Sequence, residues 1–443
     1  MKTDVFIAGG GVGGLALAVK LASRGVHVTI AEQLKKKSNA YKGELLQPKT
    51  LAILDRIGVL EEIEASGHII DQLRFQEINT RPGQEPPENI QLTELNYSRV
   101  ASRYDHALMV PHERTKDILR EKGQTYADYF NYLPGARFLG FESGMALIRH
   151  NKKISRIQAQ VYVGAEGRTS PTRDAMNVSV QRKDYNHHFL TVTIPRPESF
   201  TKGKIITTTS CFLGLFPLPD NEVRTVYLIK AGEFKKIKEK GLEHLYKAYG
   251  NLEPELAETV KSLDDWRKIQ LMIPFTYHVD KYYSGNLALI GDAAHTVHPM
   301  AGEGMNLAVQ DADVLGELLA WCKEEGKPYH ENLHYYEDVR KPRVSFLLSL
   351  SHMSALVYSF PNPWWRKIRM RAVQRIYDDD QLHVKQMLNI SGLGRWNFSL
   401  FDRAIQGSVL PVRRKRIKDH TQQKQLFSEA EDYPWKFEGK GKV

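Results

Sequence analysis

Cysteine is nearly absent from this chain of 443 residues: Cys211 and Cys322 are the only two. Two thiols make neither a disulfide framework nor a metal-ligand spacing, so no metal site is predicted. They suit a reducing compartment, and their apolar flanks predict buried thiols. Long hydrophobic runs are also missing, since nothing approaches the roughly 18–20 apolar residues of a transmembrane helix. The opening MKTDVFIAGGG enters a strand and a glycine loop at once, which leaves no room for a signal peptide and predicts a cytoplasmic protein. Internal repeats and low-complexity tracts are absent. Acidic residues are in deficit, with 52 Asp and Glu against 62 Lys and Arg, for a formal charge of +10. No nucleic-acid motif accompanies that charge, so nucleic acid is not an expected partner. The excess concentrates in WWRKIRMR (364–371) and RRKRIK (413–418). A solvated tail is the plain reading. The sharper one is peripheral contact of residues 360–371 and the basic tail with an anionic inner membrane face, Phe360, Trp364 and Trp365 serving as interfacial groups.

What is present begins with DVFIAGGGVGGLALAVKLASRGVHVTIAEQ. An apolar strand over 4–8 meets Gly9, Gly11 and Gly14. A helix follows with Leu15, Ala18, Leu21 and Ala22 on one face, and a second strand over 26–31 ends at Glu32. This is a βαβ unit of dinucleotide-binding length. Its glycines permit a tight turn and close approach of a pyrophosphate to the helix N-terminus, and Glu32 is placed to accept from a ribose.

Further along, 71–100 and 176–275 carry alternating runs such as LTVTI (190–194) and VRTVYLI (223–229), separated by turn residues. They predict antiparallel strands with one covered face. AQVYVGAEGRTSPTR (159–173) and GNLALIGDAAH (285–295) return to apolar strands ending in glycine turns. A parallel-sheet domain is therefore expected in three pieces, 1–70, 101–175 and 276–350. The antiparallel sheet is inserted as 71–100 and 176–275. From about Ser351 the pattern is helical through 351–443, becoming polar and irregular after Val412.

The densest motif is GDAAHTVHPMAGEGMNLAVQDA (291–312). It places Asp292 at the carboxyl edge of a strand, where α/β folds bind ligands. Pro299 and the glycines at 302 and 304 then lead into a helix from about Met305 to Trp321, whose N-terminus favours an anion. His295 and His298 lack a third ligand of the right type. His295 reads as a structural hydrogen bonder, and His298 as a group near substrate. Phe212, Leu215 and Phe216 read as core or pocket wall.

Taken together, Gly9-x-Gly11-x-x-Gly14 with Glu32, GAEG (164–167) and GDAAH…P…GEGMN…DA resemble the FAD-dependent group A monooxygenases, the relatives of p-hydroxybenzoate hydroxylase. GELLQP (43–48) followed by LAILDRIGVLEEI is most similar to the polyprenyl and ubiquinone-biosynthesis hydroxylases and squalene epoxidase. The resemblance covers roughly residues 1–350. It implies an α/β fold: a Rossmann-like FAD-binding domain, an inserted antiparallel-sheet substrate domain and a helical C-terminal region. It implies FAD with Gly9, Gly11 and Gly14 at the pyrophosphate, Glu32 at the AMP ribose and Asp292 at the ribityl-pyrophosphate region. Gly304, Met305 and Asn306 would lie at the isoalloxazine. Arg114 resembles the family arginine that contacts FAD, with a surface helix arginine as the alternative. Gln47, His298 and Pro299 would stand near the ring, Gln47 being otherwise a turn residue before Pro48.

The implied reaction uses diffusible NADH or NADPH and O2. A flavin C4a-(hydro)peroxide transfers one oxygen atom to a hydrophobic aromatic, quinone or isoprenoid small molecule, hydroxylating or epoxidising it. Two departures stand out. The family's Asp-Gly reads Glu166-Gly167, one methylene longer at a position linked to FAD and NAD(P)H. The arginine that usually precedes GELLQP is missing, with Ala40 near its place and Lys42 close by. Alternatives are a reductase of prenyl double bonds, which shares the motifs, and a flavin-binding scaffold with little turnover. Halogenation is disfavoured, because PNPWWRKI (361–368) is not the Trp-x-Trp-x-Ile-Pro signature.

Overall fold

A computed structural model of the chain describes residues 1–35, 44–79, 88–209, 211–415 and 417–438, so Ala40 and Lys42 lie outside the described residues. Strand β1 (Lys2–Ala8), helix α1 (Val12–Ala22) and strand β2 (Val28–Glu32) form the N-terminal unit. Val5, Phe6, Ile7 and Ala8 are all buried, on both faces of β1. That two-sided burial marks a central strand of a parallel sheet covered on each side. Helix α2 (Pro48–Ile57) and helix α3 (His112–Gln124) follow, then the long strand β3 (Lys153–Gly164). β1 lies between β2 and β3, pairing parallel to both, with Ile7 opposite Ile30 and Val163. Phe130–Pro134 pairs parallel beyond β2, and Leu287–Leu289 parallel beyond β3. The carboxyl ends of these strands therefore gather Ala8, Glu32, Gly164 and the turn after Leu289 along one edge.

The second sheet has seven strands, drawn from Gln72–Asn96 and His187–Met272. Its order is Gln270–Met272, His187–Pro195, Glu222–Lys230, Phe212–Pro217, Gly203–Thr207, Gln72–Asn79 and Glu88–Asn96. Strand alternation sorts His187–Pro195 into two sides. Leu190, Val192 and Ile194 pack with Ile237, Leu245 and Tyr249 behind the sheet. His187 and Phe189 point the other way, toward His298 on the loop before Pro299. The expected single covered face is thus two: helices close the back, and the front meets the parallel-sheet domain.

Helix α4 (Gly304–Glu324) packs along α1, helix α5 (Tyr329–Ser359) crosses α4, and helix α6 (Pro363–Asp378) lies against the edge strand Glu88–Asn96. Among the described residues no helix is long and apolar enough to cross a membrane.

The C-terminal segment differs from the irregular, solvated tail its polarity predicts. Arg413 reaches Asp379 and Asp402, both at 2.8 Å. Tyr433 and Trp435 are buried in the main core, and Tyr433 donates to Asp313 at 2.7 Å. Lys49 meets Asp432 at 2.6 Å, and Lys436 meets Glu317 at 2.6 Å. Burial alone would raise the Glu317 carboxyl, but Lys20 and Lys436 bring it from 4.5 down to about 2. Asp313, beside Lys20 and Arg56, is likewise held well below the carboxylate range against its own burial. Both folded values lie below the unfolded ones, so their contribution is complete above pH 4.5 and is lost as pH falls toward about 2. Thermal melts are expected to move down steeply across that window, with cleavage near residue 430 preceding global unfolding in limited proteolysis. A melting temperature flat across it would show that the clamp adds nothing.

Candidate active site

The glycine loop separates into packing positions and an open one. Gly9 has φ +109°, and a Cβ there would sit 2.3 Å from the Ala165 carbonyl oxygen. A Cβ on Gly14 would sit 2.2 Å from the Gly9 oxygen. Gly11 is different, because a Cβ there would meet nothing within 4 Å. Gly11 is also the N-cap of α1, with no capping side chain and no acidic residue in the first turn. Tight packing behind and free space in front of an uncapped helix N-terminus fit a pyrophosphate.

Glu32 closes the same loop. Its Oε2 accepts from the Gly10 amide at 2.9 Å and its Oε1 from the Leu34 amide at 2.7 Å. It also lines a cavity of about 790 Å³, walled by Glu113, Lys116, Asp117 and Arg120 of α3 and by Tyr132 on the neighbouring strand. The spacing of those α3 residues is one helical stripe. Arg114 is off that stripe: it is exposed, and its Nε donates to Ser66 Oγ at 3.1 Å. Lys35, Lys116 and Arg120 are the described cations that line the Glu32 cavity, and sequence reasoning passed over the α3 pair, Lys116 and Arg120. Their amphipathic spacing was the signal that could have found them.

At the other end of the loop Asp292 is part exposed, 3.5 Å from Arg168 Nε. Arg173 holds this turn by donating to the Ala293 carbonyl at 3.1 Å and to the Tyr277 hydroxyl at 3.0 Å. Tyr277 in turn donates to the Asp292 carbonyl. Glu166 is turned inward: it accepts from Ser170 Oγ at 2.7 Å and from the Thr172 amide at 3.1 Å. Burial raises its pKa, and the hydrogen bonds oppose that shift without cancelling it. The additional methylene thus serves the local turn.

Gln47 and Asn306 come together although 259 positions separate them: the Gln47 amide donates to Asn306 Oδ1 at 2.8 Å. Asn306 Nδ2 donates to the carbonyls of Leu45 and Gly302, and the Tyr97 hydroxyl donates to Gln47 Oε1 at 2.9 Å. Asn306 therefore ties the loop ahead of α4 to the segment entering α2. Gly304 opens α4, which has no side-chain cap and no acid in its first turn, and Met305 packs on the core. Glu303 beside it is 1% exposed with neither carboxyl oxygen partnered, and burial raises its pKa well above the ordinary value.

The histidines of the motif divide sharply. His295 Nε2 is 2.7 Å from Asp311 Oδ2, and Arg340 Nε donates to Asp311 Oδ1 at 2.7 Å. The Gly291 amide also donates to Asp311 at 2.8 Å. Burial would raise Asp311, but His295 and Arg340 hold it below the carboxylate range. His295 is thus a structural hydrogen bonder. His298 sits on the sheet-facing side, its Nε2 2.9 Å from His187 Nε2. Its Nδ1 accepts from the Met300 amide at 3.3 Å. Burial first, and each other's proximity in the case of His298, bring His187 to about 4 and His298 to about 3. Pro299 starts the short turn Pro299–Ala301 directly after. Phe189, Phe212, Met300 and Tyr358 gather around this pair in an apolar cluster between sheet, loop and α5. Among the described residues no cluster of His, Cys, Asp and Glu could hold a metal.

This geometry has a known counterpart. Residues 2–351 match the FAD binding domain family. The chain belongs to the FAD-dependent monooxygenases. This flavoprotein oxidoreductase is 28% identical over 318 residues to 6-methylpretetramide 4-monooxygenase of Streptomyces rimosus, which covers 70% of this chain and 73% of that protein. It is 26% identical to ubiquinone hydroxylase UbiL of Rhodospirillum rubrum, covering 88% and 90% of the two chains. Among solved structures, p-nitrophenol 4-monooxygenase PnpA of Pseudomonas putida superposes with a TM-score of 0.75 at 16% identity, covering 88% and 98%. Pseudomonas aeruginosa PqsL in complex with 2-aminobenzoylacetate gives 0.71 at 22%, covering 81% and 97%. Those two likenesses establish the shared fold. The monooxygenase reading of the glycine loop as an FAD seat fits the open face of Gly11 and the Glu32 cavity.

Proposed function

We propose that this monooxygenase uses NADH or NADPH and O2 to hydroxylate or epoxidise a hydrophobic aromatic, quinone or isoprenoid small molecule. The observation that carries the substrate class is the apolar cluster of Phe189, Phe212, Met300 and Tyr358 facing the His298–Pro299 loop. When bound, FAD would supply two-electron redox chemistry and the activation of O2. In this reading Gly9, Gly11 and Gly14 seat its pyrophosphate and Glu32 its ribose. Asp292 with Arg168 serves the middle of the cofactor, and Gly304, Met305 and Asn306 its ring end.

The other roles belong to this chain's own side chains. Gln47, held by Asn306 and Tyr97, fixes the approach of the segment entering α2. The uncapped N-terminus of α4 offers partial positive charge to an anion. The Met300 amide occupies His298 Nδ1, so the proton of neutral His298 is on Nε2 and is donated to His187. Kept uncharged by burial, the two imidazoles wall the substrate without placing a cation beside it. Contact with a membrane surface through residues 360–371 belongs to the same reading, because an apolar substrate partitions into lipid.

The test is incubation of the yellow holoenzyme with NADPH or NADH, 18O-labelled O2 and a panel of phenols, quinones and prenyl compounds. A product heavier by one labelled oxygen is expected. A product that forms without O2 and gains only hydrogen would replace this reading with prenyl reduction.

A further inference from the structure

The elbow between α5 and α6 carries bare apolar groups that nothing in the described chain covers. Phe360 is 56% exposed, Trp364 77% and Ile368 46%. These are not frayed ends. Asn362 caps α6 by accepting from the Trp364 and Trp365 amides, and Trp365 Nε1 donates to the Val357 carbonyl at 3.1 Å. The elbow is therefore pinned with Trp365 turned inward and Phe360 and Trp364 outward. Along α6 the exposed stripe continues through Lys367, Ile368 and Arg371, one turn apart. Lys367 and Arg371 are exposed and have no ion-pair partner among the described residues. The other two cations of this stretch are spent inward, Arg366 and Arg369 both binding the buried Glu77 at 2.7 and 2.8 Å. The short helix Leu400–Gln406, a neighbour of α6, bears a further bare apolar group, Leu400, 90% exposed.

We propose that this face docks on an anionic lipid bilayer. Large apolar and aromatic side chains flanked by free cations on one helix stripe match the chemistry of an interface, where rings enter the headgroup layer and cations meet phosphate. A protein partner of ordinary composition would leave the cations to be matched one by one. A bilayer matches them collectively. The position also has a use, which rests on the apolar-substrate reading. Tyr358, two residues before Phe360, faces inward with its ring 5.8 Å from Phe212 of the apolar cluster. One wall of that cluster is thus the inner side of the helix pair whose outer side would meet lipid. The basic tail contributes less than its composition suggests, since Arg413 is bound to Asp379 and Asp402.

Flavin-loaded protein is mixed with phosphatidylcholine vesicles, with and without phosphatidylglycerol, and sedimented at low and high salt. Sedimentation with the anionic vesicles alone, weakened by salt, is expected. The triple variant Phe360→Ser, Trp364→Ser, Ile368→Ser should bind about tenfold or more weakly. Lys367→Gln with Arg371→Gln should lose most of the dependence on phosphatidylglycerol. Retained flavin colour and melting temperature show that the variants are folded. Wild-type protein that stays in the supernatant with anionic vesicles at low salt overturns the proposal. So does a triple variant that binds like wild type, or a wild-type dimer in light scattering that the triple variant dissolves. None of these readouts uses turnover, so their failure would leave the oxygenation reading standing.

Discussion

Gly9→Ala is expected to yield little soluble protein, and none that is yellow. The new Cβ would lie 2.3 Å from the Ala165 oxygen and 2.6 Å from its carbon, in a backbone conformation at φ +109° that side chains avoid. Gly9 and Ala165 each directly follow a paired strand and donate their amides to the Ala31 and Ala8 carbonyls at 2.8 Å, so neither can retreat cheaply. Overpacking and left-handed strain together amount to about 3 kcal/mol or more, against a total stability of about 5–15 kcal/mol. Gly11→Ala separates architecture from binding. Its Cβ touches no protein atom within 4 Å, so the variant should melt like wild type. On the proposed seating of the pyrophosphate it should nevertheless lose FAD, because the methyl group would fill the open space beside Gly11. A Gly11→Ala protein that retains flavin as wild type does would remove the pyrophosphate from this loop.

The second large effect concerns Asp311. Asp311→Asn removes the charge that pairs with Arg340, itself 1% exposed, and weakens the acceptor for His295. Stranding a buried guanidinium costs about 3–5 kcal/mol. For a chain of this size unfolding as one unit that is a fall in melting temperature of about 3–5 °C. Because most of the loss comes from the orphaned cation, Arg340→Met added to Asp311→Asn should restore much of it. Calorimetry on the two single variants and the double variant closes the cycle. A double variant as unstable as the sum of the singles would contradict a charge-pair origin.

The parts of the site legible in the sequence are those whose partners are local. Gly9, Gly11, Gly14 and Glu32 lie within one βαβ unit, and the helix predicted from Met305 begins at Gly304 because its apolar spacing is unbroken. His295 could be assigned a structural role from its place in a motif. Its partner Arg340 could not, since that bond depends on how α5 crosses α4. The His187–His298 contact joins residues 111 apart, one on the antiparallel sheet and one on the loop before Pro299. Strand alternation shows which residues share the front face with His187, but not what stands opposite it. For α3 the stripe of Lys116 and Arg120 was readable as amphipathic, while strand order alone decides that it faces Glu32. The order of the tail is hidden from the sequence for a related reason. Polar composition signals solvent unless matching charges lie elsewhere in the chain, and here Asp313, Glu317, Asp379 and Asp402 supply them.

The core that holds β1 and α1 also contains Tyr433 and Trp435. Lys20 on α1 finds its carboxylates at Asp313 and Glu317, which Tyr433 and Lys436 near the C-terminal end of the described chain then lock in place. A unit made before the rest of this domain is thus sealed by segments made much later. Through most of synthesis the nucleotide loop exists without the helix that backs it. Closure of this domain waits on segments far along the chain, with many long-range contacts and correspondingly slow assembly. During that interval the exposed α1 face is what a chaperone would meet.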